Sequence, residues 1–291
     1  MNFFRLANPI LTLGAHLEEY MPLNLIKISK QAGIILAQFW LCASSYSQAF
    51  DLSIKEKEWL GEQIFINECS GNIECTTSWN EGEEFPSLGI GHFIWFQAEQ
   101  TTPFEETFPA LLKFIRTKNA HVPSWLETEE PNSPWRSRAQ FYSKFNSPEM
   151  VELRGFLTDN RSLQVEFIIQ RLNQTLEVII TDFPEADRPK ARDIIQSLLT
   201  SHRPYGQYAL IDYVHFKGTG LVVTERYKNK GWGLRQILEQ MLTTPTSLYS
   251  FVQVAKSLLE MRVINAPIIR NEQRWLAGWE KRVETYLPPS N

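Results

Sequence analysis

The sequence predicts an α+β fold, mainly α, with one small β region near the start of the folded part. Three observations carry that prediction. Segments of helical period recur from about residue 51 to the C-terminal end. One stretch, residues 76–96, combines turn residues with short β-branched or aromatic runs. No internal repeat or low-complexity tract divides the chain. The expected architecture is a sheet at one edge of a helical body. With 291 residues, 43% of them hydrophobic, and a net charge of −4, there is enough apolar material for a sizeable core and too little charge for disorder. Nine Trp and eighteen Phe fit an aromatic core, with a ligand-lining role as the sharper alternative. No Lys/Arg run or basic stripe suggests a nucleic-acid partner.

The first fifty residues read as a targeting segment. Lys27 and Lys30 precede an apolar run from Ala32 to Ala43, and Ser47-Gln48-Ala49 is a small-x-small cleavage pattern. The run is too short for a comfortable membrane span, so residues 1–49 are expected to be a signal peptide, with Met21 as the true start. The rest, 50–291, then forms one domain of an exported, periplasmic or secreted protein, with no membrane span. Two cysteines remain in it, Cys69 and Cys75, an even count that permits one disulfide in an oxidising compartment.

The helical elements follow in order. Asp51 is the expected N-cap of a helix running through Lys55, Trp59 and Phe65 to near Gly71. Leu60, Ile64 and Glu68 fall four apart on one face of it. Residues 76–96 are expected to form a hairpin or a three-stranded sheet. A helix over Phe104–Arg116 comes next, followed by a Pro- and Trp-rich loop over 119–135. Ser147 and Pro148 provide a cap and a first position for a helix to Leu157. Helices are then expected over Leu163–Ile180, Ala186–Thr200, Tyr208–Phe216, Gly231–Met241, Ser247–Val263 and Arg270–Tyr286, with Gly218 closing the third of these.

The chemistry concentrates in residues 66–95. Glycoside cleavage needs a carboxyl that protonates the leaving oxygen and a second group that stabilises charge or activates water. Glu68 ends an apolar helix face, where burial and the negative end of the helix dipole both disfavour its ionised form. Glu81, Glu83 and Glu84 follow on a loop where solvent keeps a carboxylate charged, and acids in unlike environments can divide the two roles. Gly89 and Gly91 allow close backbone approach, and His92 can orient a carboxylate. The plainer reading makes these acids a solvated face and Gly-Ile-Gly an ordinary turn.

Glu68 at the end of the first helix, followed by a turn and "SLGIGH", resembles the phage-type lysozymes. "YALIDYVHFKG" (Tyr208–Gly218) is similar to the buried apolar helix of that family, and the element order agrees over 59–95 and 208–286. The inserted segment, about 97–205, lies outside the resemblance. "WNxGExFxSLGIGHFIW" is also similar to a group of proteobacterial secreted proteins. The resemblance implies a lysozyme-like fold, a small β-hairpin lobe beside a helical lobe, acting on a polymeric amino sugar such as peptidoglycan. It puts Glu68 in the general-acid place, Glu81 or Glu83 in the place of the second carboxylate, and Ser87 where the family has Thr. His92, with Gly89 and Gly91, matches the family's Gly-x-Gly-His.

Other motifs carry less. "LGIGHF" lacks the third glycine of a dinucleotide fingerprint, and P-loop, zincin and nucleophile-elbow patterns do not occur. His92, His121, His202 and His215 are scattered and suggest no metal site, and no cofactor is implied. Tyr227 and Trp232, near Arg226, could line a sugar cleft by stacking or could simply pack a loop. Asp212 and Lys217 suggest a buried ion pair or helix-end bridge, with substrate contact as the functional alternative, and Arg270 and Arg274 a solvated helix face, with helix packing or saccharide contact as the alternative. The leading expectation is an exported glycoside hydrolase that cleaves peptidoglycan glycan strands. The alternatives are a non-catalytic glycan- or protein-binding module and a chitosanase-like glycosidase.

Overall fold

The computed structural model describes residues 51–102, 104–128 and 131–289. The signal-peptide reading of residues 1–49 lies outside the described residues. Among the described residues the fold is mainly helical, with ten α-helices and two small antiparallel sheets, as an α+β prediction requires. None of these helices is long and apolar enough to cross a membrane. The chain folds as two compact units, one holding Ser53–Arg171 and the other continuing from Leu172.

In the first unit, helix α1 spans Ile54–Cys69. Its N-cap is Ser53, two residues past the expected Asp51. Ser53 Oγ accepts from the Glu56 backbone N–H at 3.3 Å, and Glu56 Oε2 accepts from the Ser53 N–H at 2.7 Å. This reciprocal pair satisfies two otherwise unpaired donors. Three residues past Asp51 stands Ile54, which cannot reciprocate, so the cap moves to Ser53. The helix stops at Ser70, which turns into the left-handed region and bonds its N–H to Ile66 O.

Strands β1 (Thr77–Ser78), β2 (Ser87–Leu88) and β3 (Phe93–Ile94) follow as an antiparallel sheet in that order, in the place the sequence indicated. Helix α2, Phe108–Thr117, begins four residues later than expected. Pro109 explains the shift, because a residue without an N–H is tolerated in a first turn and not in the interior of a helix starting at Phe104. Helix α3, Arg138–Ser143, was not expected, although Ser137 caps it by accepting from the Gln140 N–H. Helix α4, Pro148–Asp159, has the predicted Ser147 cap and proline start. Helix α5, Arg161–Thr181, contains the division between the units.

The aromatic content of this unit goes largely into its core. Trp95 packs on Phe108 and Trp135 with ring centroids 4.7 and 5.7 Å apart, and Trp135 meets Phe141 at 4.9 Å. Trp95 Nε1 donates to Pro131 O at 2.7 Å, which ties the long loop to the sheet.

The second unit contains α6 (Arg188–Ser201), α7 (Tyr205–Lys217), α8 (Leu234–Met241), α9 (Leu248–Asn265) and α10 (Gln273–Glu284). Helix α7 is buried from Gly206 to Val214. A Cβ at Gly206 would lie 1.7 Å from Leu198 O, so only glycine lets α7 approach α6 there. Gly218 caps α7 as predicted, with φ +92°. Helix α8 starts later than expected because residues 226–231 form a hairpin, β4 (Arg226–Tyr227) with β5 (Lys230–Gly231). Its two turn residues, Lys228 and Asn229, are both left-handed, the twist that two-residue hairpins favour. Asp212, on α7 and fully buried, accepts from Arg282 Nε at 2.9 Å, Arg282 Nη2 at 2.8 Å and the buried Tyr286 hydroxyl at 2.6 Å. An ion pair was expected at Asp212; its partner lies on α10.

Candidate functional site

The inner face of α1 is buried at Leu60, Ile64 and Phe65, and Glu68 sits one turn after Ile64. Its side chain is 0% exposed, and its Oε2 lies 3.1 Å from His92 Nε2. His92 reaches that carboxyl because of the turn that carries it. The Gly89 N–H donates to Thr76 O at 2.7 Å, and the His92 N–H donates to Gly89 O at 3.4 Å. Between them, the Ile90 N–H donates to Gln164 Oε1 at 2.9 Å, while Gln164 Nε2 donates to Leu157 O at 2.6 Å.

Both glycines are required sterically. Gly89 has φ +67°, and a Cβ there would stand 2.2 Å from Gln164 Oε1. A Cβ on Gly91 would stand 2.4 Å from the ring of Phe93. His92 itself takes φ +48°. The Gly-Ile-Gly-His turn is thus folded tightly against Gln164 and Phe93, and its last residue meets Glu68. Gln164 was not singled out in the sequence. In the sequence it is one of several polar residues of its helix, set between Leu163 and Val165, and nothing there distinguishes it.

Cys69 and Cys75 form a disulfide that spans 5.3 Å between their α-carbons, as the even cysteine count permitted. The bridge fastens the end of α1 to the segment entering β1. Closing so short a loop contributes about 2 kcal/mol by the chain-entropy relation.

The other acids lie on the loop between β1 and β2. Glu81 and Glu84 are exposed. Glu83 is half-buried; its Oε2 accepts from Asn80 Nδ2 at 3.1 Å, and its carbonyl accepts from Trp79 Nε1 at 2.8 Å. Ser87 is buried on the central strand, paired with Ser78 and Ile94. Glu83 and Glu84 line an open groove of about 640 Å³ together with Trp79, Gln97, Arg136 and Arg138. Glu68, His92 and Ser87 are not among its lining residues. The structure therefore brings Glu68 and His92 together and gives Glu83 surroundings of its own.

The chain matches no protein-family model, no curated protein and no solved structure. A carboxyl and an imidazole in contact can exchange a proton, and burial disfavours leaving either one as a lone charge.

Tyr227 and Trp232 belong to the second unit. Their rings lie 4.6 Å apart, and the Arg262 guanidinium sits 4.1 Å from the centre of the Trp232 ring. The Tyr227 hydroxyl donates to Glu272 Oε1 at 2.8 Å, and Glu272 also accepts from Arg262 Nε at 2.8 Å and Arg270 Nε at 3.0 Å. Trp232 is buried, so loop packing accounts for it. Burial pushes the Glu272 carboxyl up, but the bonds and charges of Arg262, with Tyr227 and Arg270, outweigh burial and hold it below the usual range.

Glu225 is a second buried acid of this unit that the sequence did not single out. It accepts from the Thr219 N–H at 3.1 Å, the Thr219 hydroxyl at 3.3 Å and the Gly220 N–H. Burial pushes its carboxyl up to about 7, against the opposing pull of those bonds.

Proposed function

We propose that this protein is an exported lysozyme-like glycoside hydrolase that cleaves peptidoglycan glycan strands. The observation that carries the reading is the fully buried Glu68 carboxyl at the end of an apolar helix face, in contact with His92 on a Gly-x-Gly turn. Glu68 protonates the glycosidic oxygen as the bond breaks, and His92 holds the carboxyl in place and exchanges the proton with it. An acid of the 79–86 loop, Glu81 or Glu83, stabilises the developing positive charge or activates water, with Ser87 assisting. The Cys69–Cys75 bridge suits an oxidising compartment, in keeping with export.

A second reading is a wall-binding module without turnover. It is favoured by the separate surroundings of Glu83, whose groove Glu68 does not line. One experiment distinguishes the two. Purified cell wall is incubated with the protein, and both turbidity and wall-bound protein are followed. Clearing that disappears in Glu68→Gln supports the hydrolase. Wall binding by wild-type protein without clearing supports the module, and a chitosan arm detects the remaining glycosidase alternative.

A further inference from the structure

The second unit has an exposed apolar tip that the hydrolase reading does not use. Between α9 and α10 the chain makes a single 3-10 turn at Ile268–Arg270. Ile268 is 97% exposed and Ile269 is 93% exposed. Large aliphatic side chains are seldom left so bare, and two in succession form a projection. Ile264 and Met261, three residues apart in the last turns of α9, add further exposed apolar surface beside it, at 69% and 43%.

The turn is pre-shaped. The Arg270 N–H donates to Pro267 O at 2.9 Å, and the Asn271 N–H donates to Ile268 O at 3.0 Å. These two backbone donors are satisfied within the turn itself, which fixes the shape that carries the two isoleucines.

The tip's own segment of sequence is basic on balance. From Met261 to Trp275 there are three arginines and one glutamate, in a chain whose net charge is −4. That glutamate, Glu272, is buried and bonded to both Arg262 and Arg270. Arg274 is exposed, with its guanidinium 4.4 Å from the centre of the half-buried Trp275 ring. Glu260, one turn before Ile264, is the nearest exposed acid in the sequence before the tip.

We propose that this tip docks on the surface of an anionic phospholipid bilayer, with Ile268 and Ile269 entering the acyl boundary and Arg270 and Arg274 facing the lipid phosphates. Shape and charge together select this occupant. A projecting pair of isoleucines needs a fitted pocket on a rigid protein, whereas the acyl layer accommodates it without one. The basic collar matches the negative lipid surface. The contact is peripheral and does not span the bilayer.

The test is vesicle flotation of the full chain with phosphatidylcholine vesicles, with and without phosphatidylglycerol. Wild-type protein is expected to float with the anionic vesicles and to be partly released by salt. The Ile268→Ser/Ile269→Ser variant is expected to bind at least about tenfold more weakly, the order expected for keeping two aliphatic side chains in water. Arg274→Gln should lower the salt-sensitive part of binding, and Val223→Ser, at an exposed valine away from the tip in sequence, should change nothing. Unchanged melting temperatures show that the variants fold. The proposal is overturned if wild-type protein stays with the aqueous fraction or if the double serine variant floats equally well. A self-association seen by light scattering that the double variant abolishes, without flotation, overturns it in favour of a contact between copies of the chain.

Discussion

Gly89→Ala probes the turn that holds His92 against Glu68. Two effects add at this position. An L-residue in the left-handed region costs about 1 kcal/mol relative to glycine. The new Cβ would also stand 2.2 Å from Gln164 Oε1 and so displaces a side chain that serves both the Ile90 N–H and the Leu157 carbonyl. Leaving each of those buried groups unpaired costs about 1–3 kcal/mol. The expected loss is about 3–7 kcal/mol. Gly82→Ala is the matched control, because Gly82 also has positive φ, +86°, but a Cβ there meets nothing within 4 Å. It should lose only the conformational part, about 1 kcal/mol. Urea unfolding reads the difference as a gap of about 1 M or more between the two midpoints. Gln164→Ala added to Gly89→Ala should cost little more, because the first change has already broken the same bonds. Equal midpoints for Gly89→Ala and Gly82→Ala would refute the argument that the turn is locked by Gln164.

Two further predictions concern the second unit. Glu225 has a folded pKa of about 7 against an ordinary value of 4.5, so the folded state binds the proton more tightly. The stability it contributes is fully present below about pH 4.5 and is lost as pH rises through about 7, a change of roughly 3 kcal/mol. Glu225→Gln should flatten that part of the stability–pH curve measured by urea unfolding, and an unchanged slope would contradict the assignment. Asp212→Asn removes the countercharge of a buried guanidinium while keeping the shape of the side chain. It should destabilise the protein by about 3–5 kcal/mol, seen as a lower thermal midpoint.

Much of the fold was legible because its signals are local. Ser147 followed by Pro148, and Gly218 after an apolar run, are punctuation that needs no tertiary knowledge. The face shared by Leu60, Ile64 and Glu68 follows from helical spacing alone. Element boundaries shift where a second local signal outweighs the first. Pro109 delays α2, and the reciprocal Ser53–Glu56 cap displaces Asp51. The hairpin at 226–231 depends on left-handed Lys228 and Asn229, whose types do not advertise it as Asn-Gly would. The site was legible in part. Glu68 and His92 were singled out and lie in contact. Gln164 was not, because it acts on the turn across 74 residues of sequence, a separation that no short pattern encodes. Trp232 looked able to stack a sugar, but its ring is buried against Arg262.

The most direct measurement is the release of new reducing ends from purified peptidoglycan by wild-type protein and by Glu68→Gln, each shown to be folded by its melting curve. The account predicts steady release by the wild type and a loss of at least about a hundredfold in the variant, the scale of a positioned general acid. Equal release by both proteins, or none by the wild type, would contradict it.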